Sequence, residues 1–218
     1  MAFNVAIDGP AGAGKSTIAK AVAAKKGYVY VDTGAMYRAM ALYFLRSNIS
    51  KDDEAKISSV VDDIVVSIKY EAGSQHVILN GEDVTGLIRT EEVGNMASAT
   101  SVYSAVRTKL VALQQELAKT TDVIMDGRDI GTVVLPNANV KVFLTASVEC
   151  RAKRRFDELQ AKGENPDFDK IAKDIEERDY RDSHREISPL KQAEDAILVD
   201  SSNMTIDEVV GAILDLCK

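Results

Sequence analysis

Residues 3–8 are a short run of Phe, Val, Ala and Ile that ends at Gly9, which predicts a buried strand closed by a glycine turn. The period changes after the small residues 9–14. Ile18, Ala21 and Val22 then recur at helical spacing and predict a helix over 15–26, stopped by Gly27. A second apolar run at 28–31 precedes a helical stripe over 34–47, carried by Met36, Met40, Leu42 and Tyr43. Strand, helix, strand, helix is the order of a parallel sheet with crossover helices.

The middle of the chain follows another pattern. Residues 52–64 predict a helix, and the runs 65–70 and 76–80 flank Ala72, Gly73 and Ser74 as the arms of a β-hairpin. Asn80-Gly81 adds a turn signal, and helices are expected over 91–98 and 103–119. Roughly 48–92 therefore reads as a small inserted α+β subdomain within a single domain spanning 1–218. The α/β alternation resumes with strands at 122–125, 140–144 and 196–199 and helices at 149–162, 168–181 and 206–217. The expected class is α/β, with a parallel sheet of about five strands flanked by helices.

Composition narrows the possible functions. The 218 residues are 45% hydrophobic and 28% charged, enough for one core without staples. Cys150 and Cys217 lie far apart in no metal-ligand spacing, and only His76 and His184 could join them, so no structural zinc is expected. The first ten residues lack a basic segment and a long apolar segment, and no apolar run approaches the ~18 residues of a membrane span. A cytoplasmic protein with no membrane partner is expected. A net charge of −7 speaks against a nucleic-acid partner, while clustered arginines could still hold small phosphorylated ligands.

The sharpest motif is Gly9-Pro10-Ala11-Gly12-Ala13-Gly14-Lys15-Ser16, followed by Thr17, which fits G-x-x-x-x-G-K-[ST]. Glycines let the backbone wrap so that successive N–H groups face phosphates, and the helix that follows adds its positive end. In such a loop Lys15 reaches the β- and γ-phosphates of ATP, and the Ser16 hydroxyl ligates Mg²⁺. The sheet is thereby expected to be of the P-loop NTPase type.

A phosphate loop alone does not separate motor, switch and kinase. There is no N-K-x-D guanine reader, and the D-x-x-G match at Asp83–Gly86 falls in the turn-rich middle. The strand ending at Asp126 could supply a Walker B carboxylate, but Gly127 stands where hydrolytic ATPases place a water-activating Glu. Arginines recur instead: Arg38, Arg107, Arg128, Arg151, Arg154, Arg155, Arg178, Arg181 and Arg185. Transfer between two polyanions needs such fork-shaped cations on donor and acceptor alike. Arg128 stands out because it follows a buried strand at the carboxyl edge of the sheet, where open α/β folds bind ligands. Arg178 and Asp182, four apart on a helix, fit an ordinary surface ion pair equally well.

Four stretches together resemble the bacterial cytidylate kinases, along essentially the whole chain: residues 7–17, 32–38 (Asp-Thr-Gly-Ala-Met-Tyr-Arg), 126–134 (Asp-Gly-Arg-Asp-Ile-Gly-Thr-Val-Val), and 178–185 followed by Ser188-Pro189-Leu190. The resemblance implies transfer of the ATP γ-phosphate, with Mg²⁺, to CMP or dCMP, and a monomer is expected. It implies Arg38, Arg128 and Arg185 as clamps on the acceptor phosphate, and Ser98, Arg107 and Asp129 as cytosine readers. Arg178 and Asp182 are then sugar contacts, and Thr33 a small hydroxyl near the acceptor, with Asp126 counted in the same acceptor set. Lys15, Arg128 and Arg185 carry the catalytic charge. The segment 150–185 would hold a short lid and acceptor helices, with Arg154 and Arg155 on the ATP side and Arg151 beside them. Two alternatives stay open from the residues themselves: a P-loop kinase for another small acceptor, which would leave Arg107 and Asp129 without a reason, and an ATP-hydrolysing switch.

Overall fold

The computed structural model describes residues 2–71 and 74–218, so the hairpin turn expected at Ala72 and Gly73 lies outside the described residues. In chain order the elements are β1 (Asn4–Asp8), α1 (Lys15–Lys26), β2 (Val29–Asp32), α2 (Thr33–Arg46), α3 (Glu54–Val60), β3 (Val66–Glu71), β4 (Ser74–Leu79), β5 (Glu82–Asp83), α4 (Glu91–Thr100) and α5 (Ser104–Thr120). There follow β6 (Val123–Gly127), β7 (Val140–Thr145), α6 (Val148–Ala161), α7 (Phe168–His184), β8 (Ile197–Asp200) and α8 (Ile206–Leu216). Five strands form one sheet in the order β2-β6-β1-β7-β8, with β1 parallel to both β6 and β7 and β7 parallel to β8. The expected α/β class with a five-stranded parallel sheet is the observed one. Strands β3, β4 and β5 form a separate antiparallel sheet.

The chain divides into two compact units, Met1–Tyr30 with Thr121–Lys218, and Val31–Thr120. The first is built on the parallel sheet. Val5 and Ile7 of β1, Ile124 of β6, and Val142 and Leu144 of β7 are buried with Ile18 and Val22 of α1 and Val209, Val210 and Ile213 of α8. Strands covered on both faces read as near-continuous apolar runs, which is why their positions were legible. Helix α8 opens with a capping box, Thr205 and Glu208 satisfying each other's backbone N–H.

In the second unit Met36, Met40 and Phe44 of α2 are buried, as are Ile57 of α3 and Leu110 of α5. Three details differ from expectation. The helix expected over 52–64 ends at Val60 and tightens into a 3₁₀ turn, Val61–Asp63. The β-branched pair Val60-Val61 followed by two carboxylates at the negative helix end explains the early stop. Asn80-Gly81 is a two-residue turn that returns the chain as β5, so the hairpin carries a third short strand. The helix expected over 168–181 runs on to His184.

Candidate active site

The phosphate loop leaves the carboxyl end of β1. At Gly9 the backbone has φ 150°, and a Cβ there would sit 1.9 Å from the Leu144 carbonyl oxygen, so only glycine lets the loop start this close to β7. Helix α1 begins with Gly14 as N-cap, which offers no side chain to the first N–H groups. Those N–H groups and the positive helix end suit an anion. Lys15 is buried and donates from Nζ to the Pro10 carbonyl at 2.7 Å. Burial first, then the nearby Arg128 guanidinium, holds its ammonium well below the usual lysine range, against the pull of Asp126, Asp8 and Asp182.

Strand β6 delivers Asp126 beside this loop. One carboxylate oxygen accepts from Ser16 Oγ at 2.8 Å, the other from the Tyr30 hydroxyl at 2.8 Å. Asp126 thus fixes the serine hydroxyl with its proton turned inward and its lone pairs turned away. Just beyond β6, Arg128 donates from Nε to Asp182 at 2.8 Å, and Arg185 Nη2 lies 3.7 Å from Asp129 with both side chains buried. Asp182 is therefore no surface partner of Arg178 alone. Burial pushes its carboxyl up, but Arg128, Arg178 and Arg185 outweigh that and leave it below the usual carboxylate range.

The arginines of α6 separate into three roles. Arg151 is buried and donates to Ala146 O and Ala11 O, both at 2.8 Å, while pairing with Asp179 of α7 at 2.7 Å. It ties the phosphate loop to both helices. Arg154 donates to Ser201 O at 2.8 Å, and its Nη1 lies 3.9 Å from where a Cβ on Gly14 would stand. Arg155 is half exposed and pairs with Glu158 at 2.9 Å, away from this cluster of contacts. Pro10, Ala11, Gly12, Ala13 and Thr17 lie in the loop and the first turn of α1.

The second unit holds the remaining candidates. Thr33 opens α2 and is buried, and Asp32 caps the helix by accepting from Ala35 N at 2.9 Å. The Arg38 guanidinium and the Asp32 carboxylate both lie over Gly34, and Arg89 forms an ion pair with Asp32. Ser98 and Arg107 meet through one residue: Ser101 Oγ donates to Ser98 O at 3.0 Å, and Arg107 Nη1 donates to Ser101 O at 3.3 Å. Arg107 is buried, its guanidinium 5.9 Å from the Tyr37 ring centre.

Sequence reasoning passed over Tyr30, Asp8, Asp32 and Arg89. A carboxylate closing an apolar run directly before a phosphate loop is a signal that could have singled out Asp8. Nothing in a strand tyrosine announces that its hydroxyl reaches Asp126.

A phosphate loop at the carboxyl edge of a parallel sheet, with a carboxylate behind its serine and paired arginines at the neighbouring strand end, defines the P-loop kinase class. Residues 5–218 match the family described as Cytidylate kinase. The chain is 55% identical over 214 residues to a cytidylate kinase of Caldicellulosiruptor saccharolyticus, covering 98% of this chain and 95% of that protein. It is also 55% identical over 216 residues to one from Lactobacillus johnsonii, covering 99% and 94%. This chain belongs to the cytidylate kinase family. Its fold is similar to that of a gluconokinase from Sinorhizobium meliloti, with TM-score 0.50 and 14% identity over 99% of this chain and 91% of that one.

Proposed function

We propose that this chain transfers the γ-phosphate of ATP to CMP or dCMP, giving ADP and CDP or dCDP. The observation that carries the reading is the pairing, within one unit, of a phosphate loop backed by Ser16–Asp126 with the ion-pair cluster Arg128–Asp182 and Arg185–Asp129. A hydrolase needs a residue that prepares water; this arrangement instead supplies cations and acceptors for a second charged substrate.

In this reading the loop N–H groups and Lys15 hold the β- and γ-phosphates, and Arg154 is the lid arginine that meets them. Arg38, Arg128 and Arg185 hold the acceptor phosphate, and an oxygen of that phosphate attacks the γ-phosphorus in line. The bond to the β,γ-bridging oxygen breaks, and ADP leaves with that electron pair. Thr33 lies near the acceptor, and Arg178 and Asp182 orient its sugar. Arg107 and Asp129, with Ser98, read the base: an ionised carboxylate can only accept, as cytosine N4 requires, and a guanidinium can only donate, as N3 and O2 require.

The donor set fits Mg²⁺: a serine hydroxyl with its proton held by a buried carboxylate, next to where phosphate oxygens would complete the shell. Bound there through Ser16, the ion would neutralise charge on the β- and γ-phosphates. Among the described residues no helix is long and apolar enough to cross a membrane. The reading takes the chain to act in the cytoplasm as a monomer, on ATP and a free nucleotide rather than on nucleic acid. A coupled ADP-release assay over a panel of nucleoside monophosphates tests it. ADP release that requires CMP or dCMP is expected; steady ATP turnover without any acceptor would return the chain to the switch class.

A further inference from the structure

Asp8 is the last residue of β1 and directly precedes the phosphate loop. Its carboxylate accepts from two consecutive backbone N–H groups, Ile130 at 2.8 Å and Gly131 at 2.7 Å. These groups open the π-helical turn Ile130–Val134, whose own N-cap residue, Asp129, makes no side-chain capping bond. The first N–H groups of a helical turn need an outside acceptor. Here it comes from a strand more than a hundred residues earlier, although Asp and Asn ordinarily cap the turn they begin.

The seat is tight. A Cβ on Gly131 would lie 3.3 Å from the Asp8 carboxylate and 3.2 Å from Lys141 Cδ on β7. The charged groups acting on Asp8 are Lys15 from α1 and Asp129 from the segment after β6. Burial pushes the Asp8 carboxyl up to about 6, with Asp129 adding to the push and the two N–H bonds and Lys15 opposing it. Burying this charge is costly, and what the two bonds secure is the two residues just ahead of them, Arg128 and Asp129.

We propose that Asp8 is a positioning residue that fixes Arg128 and Asp129 against the phosphate loop, so that the strand launching the donor loop also sets the orientation of the acceptor and its base. The proposal rests on the acceptor roles given above for Arg128 and Asp129. The same link gives the two substrates a common mechanical origin in β1.

Asp8→Asn keeps the shape but can accept from only one of the two N–H groups. In the full chain it is expected to raise KM for CMP at least tenfold and to narrow the CMP-to-UMP preference severalfold. ATP affinity measured by calorimetry without acceptor should stay within twofold, and Tm within a few degrees. The Ile130 and Gly131 amides should exchange with solvent faster in the variant, a readout independent of any substrate. Gly131→Ala presses on the same contact from the other side and should give the same split between acceptor and donor. The double variant should then be less than additive. Unchanged acceptor constants in either folded variant overturn the proposal. So does a parallel loss of ATP affinity, acceptor affinity and Tm, which is the mark of a merely structural cap. A wild type that ignores CMP while the Asp8→Asn amides still exchange faster would overturn the acceptor reading and leave the clamp itself measured; unaltered exchange would overturn the clamp.

Discussion

In the unit formed by Met1–Tyr30 and Thr121–Lys218, Asp8, Lys15, Asp126, Asp129, Lys141, Arg151 and Asp182 are all buried; in Val31–Thr120 the buried charged residues are Asp32 and Arg107. The ion pairs of the second unit otherwise lie outside, as in Arg46–Glu82 and Lys119–Glu116. Its interior is apolar, with Phe44, Met36, Met40, Ile57 and Leu110 fully covered. Both units therefore have apolar cores, but only the first places many charges inside. Buried charges rarely stabilise a fold more than apolar residues of similar volume would. Their concentration in the unit that holds the phosphate loop supports the proposed reception of polyanions there, and it predicts that loss of function and loss of stability will come from different places.

The largest effect should come from Lys15→Met. Removing a cation held by the loop itself should lower kcat at least about a thousandfold. Because burial disfavours the charged lysine, Tm should not fall. Scanning calorimetry alongside the ADP-release assay checks both, and near-normal turnover in the folded variant would break the donor assignment.

Base discrimination comes next and tests Asp129 and Arg107 in turn. With UMP, Asp129 would face an acceptor and Arg107 a donor, each mismatch costing about 1–3 kcal/mol. CMP should therefore exceed UMP by at least ~100-fold in kcat/KM. Asp129→Ala and Arg107→Ala should each narrow that ratio to about tenfold, mostly by loss on the CMP side. A ratio that survives Asp129→Ala makes that residue a structural partner of Arg185 instead.

Arg128→Ala should cost about 1.5–3 kcal/mol in kcat/KM for the acceptor while ATP affinity shifts less than about threefold. The opposite pattern would move Arg128 to the donor. The smallest effect belongs to the surface of the second unit. Arg46→Ala removes an exposed pair with Glu82 of the kind worth about 0–1 kcal/mol, so activity should be unchanged and Tm should move by no more than a few degrees. A larger drop would mean that this unit, too, leans on its charges.

The parts of the molecule that obey local rules were legible. The phosphate loop needs its residues consecutive, so Gly9 to Ser16 could be read as one object, and α1 was placed over its observed span by the spacing of Ile18 and Val22 and by Gly27. The places of the five sheet strands along the chain followed from their apolar runs; their order across the sheet did not. Contacts across long sequence separations were not legible from pattern. The spacing of Arg178 and Asp182 suggested a local pair, whereas Asp182 meets Arg128 more than fifty residues away. The π-helical turn after Asp129 has no periodicity of its own, and its first two N–H groups are met by Asp8 from far along the chain. The early end of α3 depended on the unfavourable charge of Asp62 and Asp63, which a count of apolar positions ignores.

Strand β6 has a consequence for which sequence changes this chain could tolerate over evolutionary time. Asp126 stands within β6, and Arg128 follows one residue beyond its end. Asp126 backs Ser16, and Arg128 meets Asp182. Substitutions at Ile124 or Met125 need only keep the volume, but a single-residue deletion ahead of Asp126 would turn Asp126 to the opposite face of the strand and draw Arg128 back by one position. The exposed turn at Gly163, between α6 and α7, is under no such constraint. A library of one-residue insertions and deletions, selected for kinase activity, should be empty across 123–128 and well populated around 163.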